Sequence, residues 1–221
     1  MGDLLRRARA VDPKAQFAIN APLDCLYDPV DSWFLPIRYV NTITDEEGYT
    51  YWGDPNPWVT SGGSPYCKNR WLEKTSTYIR IQKQEGKHLV LINQVPLHVS
   101  PYITNTNAEA RVYMQWALAN YLLVKYSHTY FWFGSVQHYG YPIVMQRELL
   151  VDLGQPQGDM HQYQGVYVRW FTKGAAIVNP DPSKSFGVAF QKGKYANMYG
   201  PDLDHATMRP HSGLVLVNRK S

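Results

Sequence analysis

The sequence predicts an α/β fold, a parallel sheet wrapped by helices, followed by a β-rich C-terminal segment. Two observations predict the first part. Helical and strand patterns alternate from the N-terminus to about residue 145, and connections from a helix into the next strand are short while loops leaving the strand ends are long. A third observation predicts the second part: beyond residue 145 the rhythm turns to alternating strands and tight turns.

The elements follow in order. "GDLLRRARAV" carries Leu4, Leu5, Ala8 and Val11 at helical spacing, and Asp12-Pro13 stops it. "AQFAIN" reads as a short buried strand ending at Asn20, and "IRYVNTI" as a second strand ending before Asp45. A loop rich in Pro, Gly and aromatics covers 49–66. "KNRWLEKTSTYIRIQKQEGK" is a helix with Trp71, Tyr78 and Ile79 on one face and Gly86 as its C-terminal cap. "HLVLINQ" is a strand. In "TNTNAEARVYMQWALANYLLVKYSH", Thr106 and Glu109 fit a capping box, and Val112, Trp116, Ala119 and Leu123 mark one apolar face. "TYFWFGS" is the next strand, broken at Gly134. In the tail, "GVYVRWFTKGAAIVNP" reads as a hairpin turning at Lys173-Gly174, "SFGVAFQKGKYANMYG" as a strand and turn, and "SGLVLVN" as a last strand. Trp170 and Phe171 are expected on opposite faces of one antiparallel sheet that also holds the last strand.

Composition bounds the function. The 221 residues carry a net charge of +4 with no dense Lys/Arg run, so no nucleic-acid surface is expected. No apolar run reaches the ~18 residues of a membrane span. The N-terminal segment lacks the apolar core of a signal peptide, which leaves location open. Charged residues make up 18% and aromatics 14%, with 17 Tyr and 7 Trp. Such rings either fill a core or offer flat platforms for sugars. His98, His138 and His161 are scattered without metal-ligand spacing, so neither a metal nor a cofactor is expected. Cys25 and Cys67 are either two unlinked thiols or a disulfide over the strand ends.

In parallel sheets of this kind ligands bind outside the carboxyl ends of the strands. Asn20, the run Asp45, Glu46 and Glu47, Asn93, Gln94 and residues 134–137 fall there. "NTITDEEGYTYWG" sets three acids beside Tyr49, Tyr51 and Trp52. It is either a solvated acidic loop or a sugar-cleaving site. In the second case Glu47 is the first candidate catalytic acid, then Glu46, then Asp45. Asp24 is favoured as the partner carboxyl over Asp28 and Asp31, all three of which also suit turns beside Pro. Candidate sugar-binding groups are Trp52, Trp58, Tyr49, Tyr66, Asn20, Asn93, Gln94 and Trp132.

Three phrases of the tail carry a resemblance: Glu148 to Pro156 ("ELLVDLGQP"), Tyr167 to Pro180 ("YVRWFTKGAAIVNP") and Pro210 to Leu216 ("PHSGLVL"). Together with the preceding βα series they resemble the C-terminal half of glycosyl hydrolases built on a (β/α)8 barrel with a short β-rich C-terminal segment, and "EEGY" resembles the acid-Gly-aromatic element after the sixth strand of such barrels. The resemblance implies a partial (β/α) barrel of about four βα units over 1–145 and a β-rich segment over 146–221. It implies a glycoside-hydrolase-like protein acting on a polysaccharide such as a glucan. The alternatives are a non-catalytic carbohydrate-binding or remnant half-barrel and an oligomeric structural module. A whole barrel takes ~250 residues, so an open barrel edge is expected to be covered by a homodimer or other self-association.

Overall fold

The computed structural model describes residues 2–21, 23, 37, 39–50, 59, 68–96, 108–134 and 146–219. Its first half holds α1 (Gly2–Val11), β1 (Ala18–Asn20), β2 (Thr42–Asp45), α2 (Arg70–Lys83), β3 (His88–Gln94), α3 (Ala108–Val124) and β4 (Thr129–Gly134). The four strands form one parallel sheet in the order β1-β2-β3-β4, with Asn20 opposite Thr44, Asp45 opposite Leu91 and Gln94 opposite Gly134. The order is sequential, so each crossover steps to the same side. Asn69 caps α2 by accepting the Leu72 N–H at 3.0 Å, and Gly86, at φ +62°, turns the chain back into β3.

Two expectations change here. β1 is not buried: Ala18 and Asn20 are exposed, because β1 lies at one end of the sheet. β2 begins only at Thr42 and includes Asp45 as its last residue.

Alternation divides the sheet into two faces. Ile43 and Asp45 of β2, and Leu89, Leu91 and Asn93 of β3, are buried beneath the helices. Thr42, Thr44, Val90, Ile92 and Trp132 point the other way and are half-exposed, and Tyr130 beside them is 51% exposed. The face opposite the helices is therefore only partly covered.

The second half begins with a 3-10 turn (Arg147–Leu150). An antiparallel sheet follows in the order β5-β6-β7-β11-β9, built from β5 (His161–Tyr163), β6 (Val166–Phe171), β7 (Gly174–Asn179), β9 (Tyr195–Asn197) and β11 (Ser212–Asn218). β8 (Phe186–Ala189) pairs with β10 (His205–Met208) as a two-stranded ribbon. The hairpin forms, with Phe171 paired to Gly174, so its turn is Thr172-Lys173, one residue earlier than expected. The stretch expected to hold one strand and a turn holds two strands, β8 and β9, and β9 joins β11.

One face of the five-stranded sheet packs on α3 through Phe171, Ala176, Val178 and Val215. The other face builds a second core of Val166, Val168, Ile177, Leu214 and Leu216 with Val188 and Met208 of the ribbon. Trp170 joins this second core and Phe171 the first, so they lie on opposite faces. Strand β7 is buried along its whole length because both faces are covered, which explains its uninterrupted run "GAAIVN".

Helix α3 lies between the two sheets. It therefore has no single apolar face: Ala110, Tyr113, Met114, Trp116, Ala117, Leu118, Leu122 and Leu123 are all buried, while Val112, expected inside, is 49% exposed. Thr106 of the expected capping box lies outside the described residues. Two contacts fix the helix between its neighbours. At Gly213 an added Cβ would stand 2.5 Å from the Gln115 carbonyl and 2.8 Å from Trp116 Cα, so β11 can lie on α3 only with glycine there. Arg169 of β6, itself buried, donates from one Nη to the Leu122, Leu123 and Lys125 carbonyls at 3.2, 3.3 and 2.6 Å and closes the C-terminus of α3. Among the described residues no helix is long and apolar enough to cross a membrane.

Candidate functional site

The sequence through 45–50 turns sharply off the end of β2, and Asp45 shapes that turn. Its Oδ1 accepts the Glu47 N–H at 3.0 Å and the Gly48 N–H at 3.2 Å. Its Oδ2 accepts the Leu23 N–H at 3.0 Å and the Tyr78 hydroxyl at 2.7 Å. The Lys74 ammonium stands 3.3 Å from the same oxygen, and Asp45, Lys74 and Tyr78 are all fully buried. Gly48, at φ +36°, is the one residue that fits next: a Cβ there would come within 2.7 Å of Asn93 Oδ1 and 2.8 Å of the Ile92 carbonyl.

Tyr49 then enters the core. Its N–H donates to Asn93 Oδ1 at 2.8 Å, its carbonyl accepts from Trp116 Nε1 at 2.9 Å, and its hydroxyl lies 2.9 Å from Thr75 Oγ1. Burial pushes the Tyr49 hydroxyl well above the ordinary tyrosine range; the Thr75 hydrogen bond opposes this and the Asp45 charge adds to it. The Asn93 Nδ2 donates to the Trp132 carbonyl at 3.4 Å. Strand β2, the turn, β3, β4, α2 and α3 are thus tied at one place.

The expected site residues separate accordingly. Asp45, Asn93 and Tyr49 are fully buried on the helix side of the sheet, so each corrects an expectation. Asp45 lies inside β2 with the parity of Ile43, which points it toward α2, where Lys74 and Tyr78 receive it. Tyr49 has no ring face open to a ligand, since it packs edge-on against Tyr78 at 5.6 Å. Glu46 is exposed and Glu47 half-exposed. The Glu47 side chain, 41% exposed, has Oε2 3.7 Å from the Arg70 guanidinium in the first turn of α2. Asn20 is exposed at the end of β1. Gln94 is buried, its N–H bonded to the Thr50 carbonyl at 3.0 Å. Trp132 is half-exposed, and its ring lies over Gly134, where an added Cβ would meet it at 2.4 Å. Asp24, Trp52, Trp58, Tyr66, Cys25, Cys67, His98 and His138 lie outside the described residues.

No family model matches the chain, and no curated protein is significantly similar to it. Among the described residues no group of three or more His, Cys, Asp or Glu is placed to hold a metal ion.

Sequence reasoning passed over Lys74 and Arg70, and took Tyr78 for a helix-face residue alone. A signal for Lys74 was present. It falls on the stripe Trp71, Lys74, Tyr78, Ile81, and a cation on an otherwise apolar helix face asks for a buried anion. In the tail, Glu148 of "ELLVDLGQP" is also buried. It lies against Tyr199, whose ring stands between the Arg111 and Arg147 guanidiniums at 5.4 Å from each.

Proposed function

We propose that this chain acts on a polysaccharide as a glycoside-hydrolase-like protein, with Glu47 as its working carboxylate and the parallel sheet as part of a (β/α) barrel. One observation carries the reading: Glu47 is a solvent-reaching carboxylate on a backbone turn locked by buried groups, at the carboxyl end of a parallel strand. Pre-organised carboxylates at that end are what hydrolysis of a glycosidic bond requires. The sequential strand order is the order of a barrel.

Arg70 stands 3.7 Å from Glu47 Oε2. In this reading Glu47 takes the nucleophile or base role, and another carboxyl donates the proton. Asp24 remains the candidate for that partner carboxyl. The separation of the two carboxyl groups decides the stereochemistry: ~5–5.5 Å for retention, ~6.5–9.5 Å for inversion. Trp132, half-exposed on the less-covered face with Thr44, suits the stacking of a sugar ring there, whereas Gln94 is buried and serves the turn through Thr50.

The experiment is release of reducing sugar from glucans, xylans and mannans, run beside a binding assay on the same panel. Glu47→Gln keeps shape and removes the titrating group. Turnover should fall by several orders of magnitude with sugar binding retained, whereas Glu46→Gln should cost far less. If both variants hydrolyse like the parent, the acids form a solvated turn and the proposal fails. The second reading is carbohydrate binding without turnover, favoured by the inward turn of Asp45, which takes one of the three acids out of the site. A parent that binds glucan and hydrolyses nothing, and loses binding in Trp132→Ala, would establish it.

A further inference from the structure

We infer that Asp45, Lys74 and Tyr78 form a positioning unit, whose task is to hold the backbone of residues 46–49 rigid so that Glu47 is presented in one place. This rests on the reading of Glu47 as the working carboxylate.

The argument begins from cost. A buried carboxylate and a buried ammonium each lose several kcal/mol of hydration, and their attraction restores only part of it. A well-packed apolar pair of the same volume would serve stability as well or better. A buried ion pair is therefore weak evidence for stability and calls for another explanation.

The geometry supplies one. Four hydrogen-bond donors and an ammonium converge on two oxygens, from three separate parts of the fold. The Leu23 N–H comes from the chain after β1. The Glu47 and Gly48 N–H groups come from the turn itself. The Tyr78 hydroxyl and the Lys74 ammonium come from α2. An ionised carboxylate is the side chain whose every lone pair accepts; an asparagine in its place would turn two donors of its own toward these donors. Lys74 has the complementary duty. It sets a cation 3.3 Å from Oδ2 where water does not reach. Tyr78 fixes the distance between carboxylate and helix at 2.7 Å. The result is a turn whose two central amides are held by charge-assisted bonds, with Glu47 carried between them.

The double variant Asp45→Asn/Lys74→Met tests this, because it removes both charges and leaves neither unbalanced. Two measurements are made on it: residue-resolved amide hydrogen exchange, and turnover on the polysaccharide that the parent cleaves. The exchange of the Glu47 and Gly48 amides should rise at least about tenfold, as charge-assisted bonds are lost. Amides in β3 and α3 should exchange as in the parent. The kcat should fall roughly tenfold to a hundredfold with KM nearly unchanged, since misplacing the acid costs turnover before it costs binding. Tyr78→Phe should move both readouts the same way by a smaller factor.

Unchanged exchange at Glu47 and Gly48 overturns the inference. So does a uniform rise across β3 and α3, which would make the ion pair a general stabiliser. If Glu47→Gln abolishes turnover while the double variant turns over like the parent, the positioning unit falls and the role of Glu47 stands. If the parent hydrolyses nothing, the reading of Glu47 falls, and the exchange data alone decide whether the three groups hold the turn.

Discussion

Gly213→Ala should open the contact between the C-terminal sheet and α3. The perturbation is one methyl group. It would meet the Gln115 carbonyl at 2.5 Å, Trp116 Cα at 2.8 Å and Ala119 Cβ at 2.9 Å, two of them backbone atoms of a helix that cannot turn aside. Restoring an ordinary 3.4 Å contact moves β11 and α3 apart by about 0.9 Å. A gap of that size forfeits a quarter to a half of the dispersion attraction along its lining, here Val215 and Val217 against the helix. Overpacking of this kind costs about 1–3 kcal/mol, and unyielding backbone places it near 3. Alanine also restricts the unfolded chain, which returns about 0.4–1 kcal/mol. The net loss is roughly 2 kcal/mol, or about 4–8 °C in Tm for a chain of this size. The assay is thermal unfolding followed by circular dichroism. Gly187→Ala is the control: it sits on exposed β8 with nothing within 4 Å of an added Cβ, and should match or slightly exceed the parent. A Gly213→Ala protein melting within about 1 °C of Gly187→Ala would refute the reasoning.

Arg169→Met should cost about 3–5 kcal/mol in denaturant unfolding, since three carbonyls at the C-terminal end of α3 lose one buried cation; a loss under about 1 kcal/mol would show that they find other donors. Burial raises the hydroxyls of Tyr113 and Tyr121 to about 12, with the Glu109 charge adding at Tyr113. The unfolded chain ionises near 10, so these two contribute stability in full below about pH 10 and lose it progressively between about 10 and 12. Absorbance at 295 nm through pH 11 should show fewer than 17 tyrosinates until the chain unfolds, and immediate titration of all of them would contradict the burial. The half-exposed sheet face and the end strands β1 and β4 keep self-association as the expectation; light scattering at micromolar concentration should give a dimer, and a monodisperse monomer would reject it.

How much of this was legible depends on how local the deciding contacts are. "HLVLINQ" and "SGLVLVN" became strands over the very residues expected, because alternation and β-branching act within the segment. The face that each strand shows to its neighbours was harder to read. Ending β2 at Ile43, two residues early, left Asp45 in a loop, whereas its true parity with Ile43 sends it under α2. Tyr49 read as a platform because aromatic residues near Gly and Pro fit loops and cores equally well; only Thr75, Asn93 and Trp116, 26, 44 and 67 residues away, draw it inside. Val112 was placed on an apolar stripe by a rule for helices with one buried face, and α3 has two. The place of Glu47 just past the carboxyl end of a strand was legible, but its ion pair with Arg70 depends on the path of a chain segment 23 residues away.

The position of α3 between two sheets also has a consequence in time. A ribosome adding about 5–20 residues per second finishes α3 several seconds before β11 exists. During that interval the parallel sheet can receive one side of the helix, while Gln115, Ala119 and their neighbours on the other side await strands not yet made. The nascent chain thus carries a folded but uncovered helix, a natural substrate for a chaperone that recognises apolar surface. Slowing synthesis over residues 125–211 should lengthen that exposure, and speeding release of the last strand should shorten it.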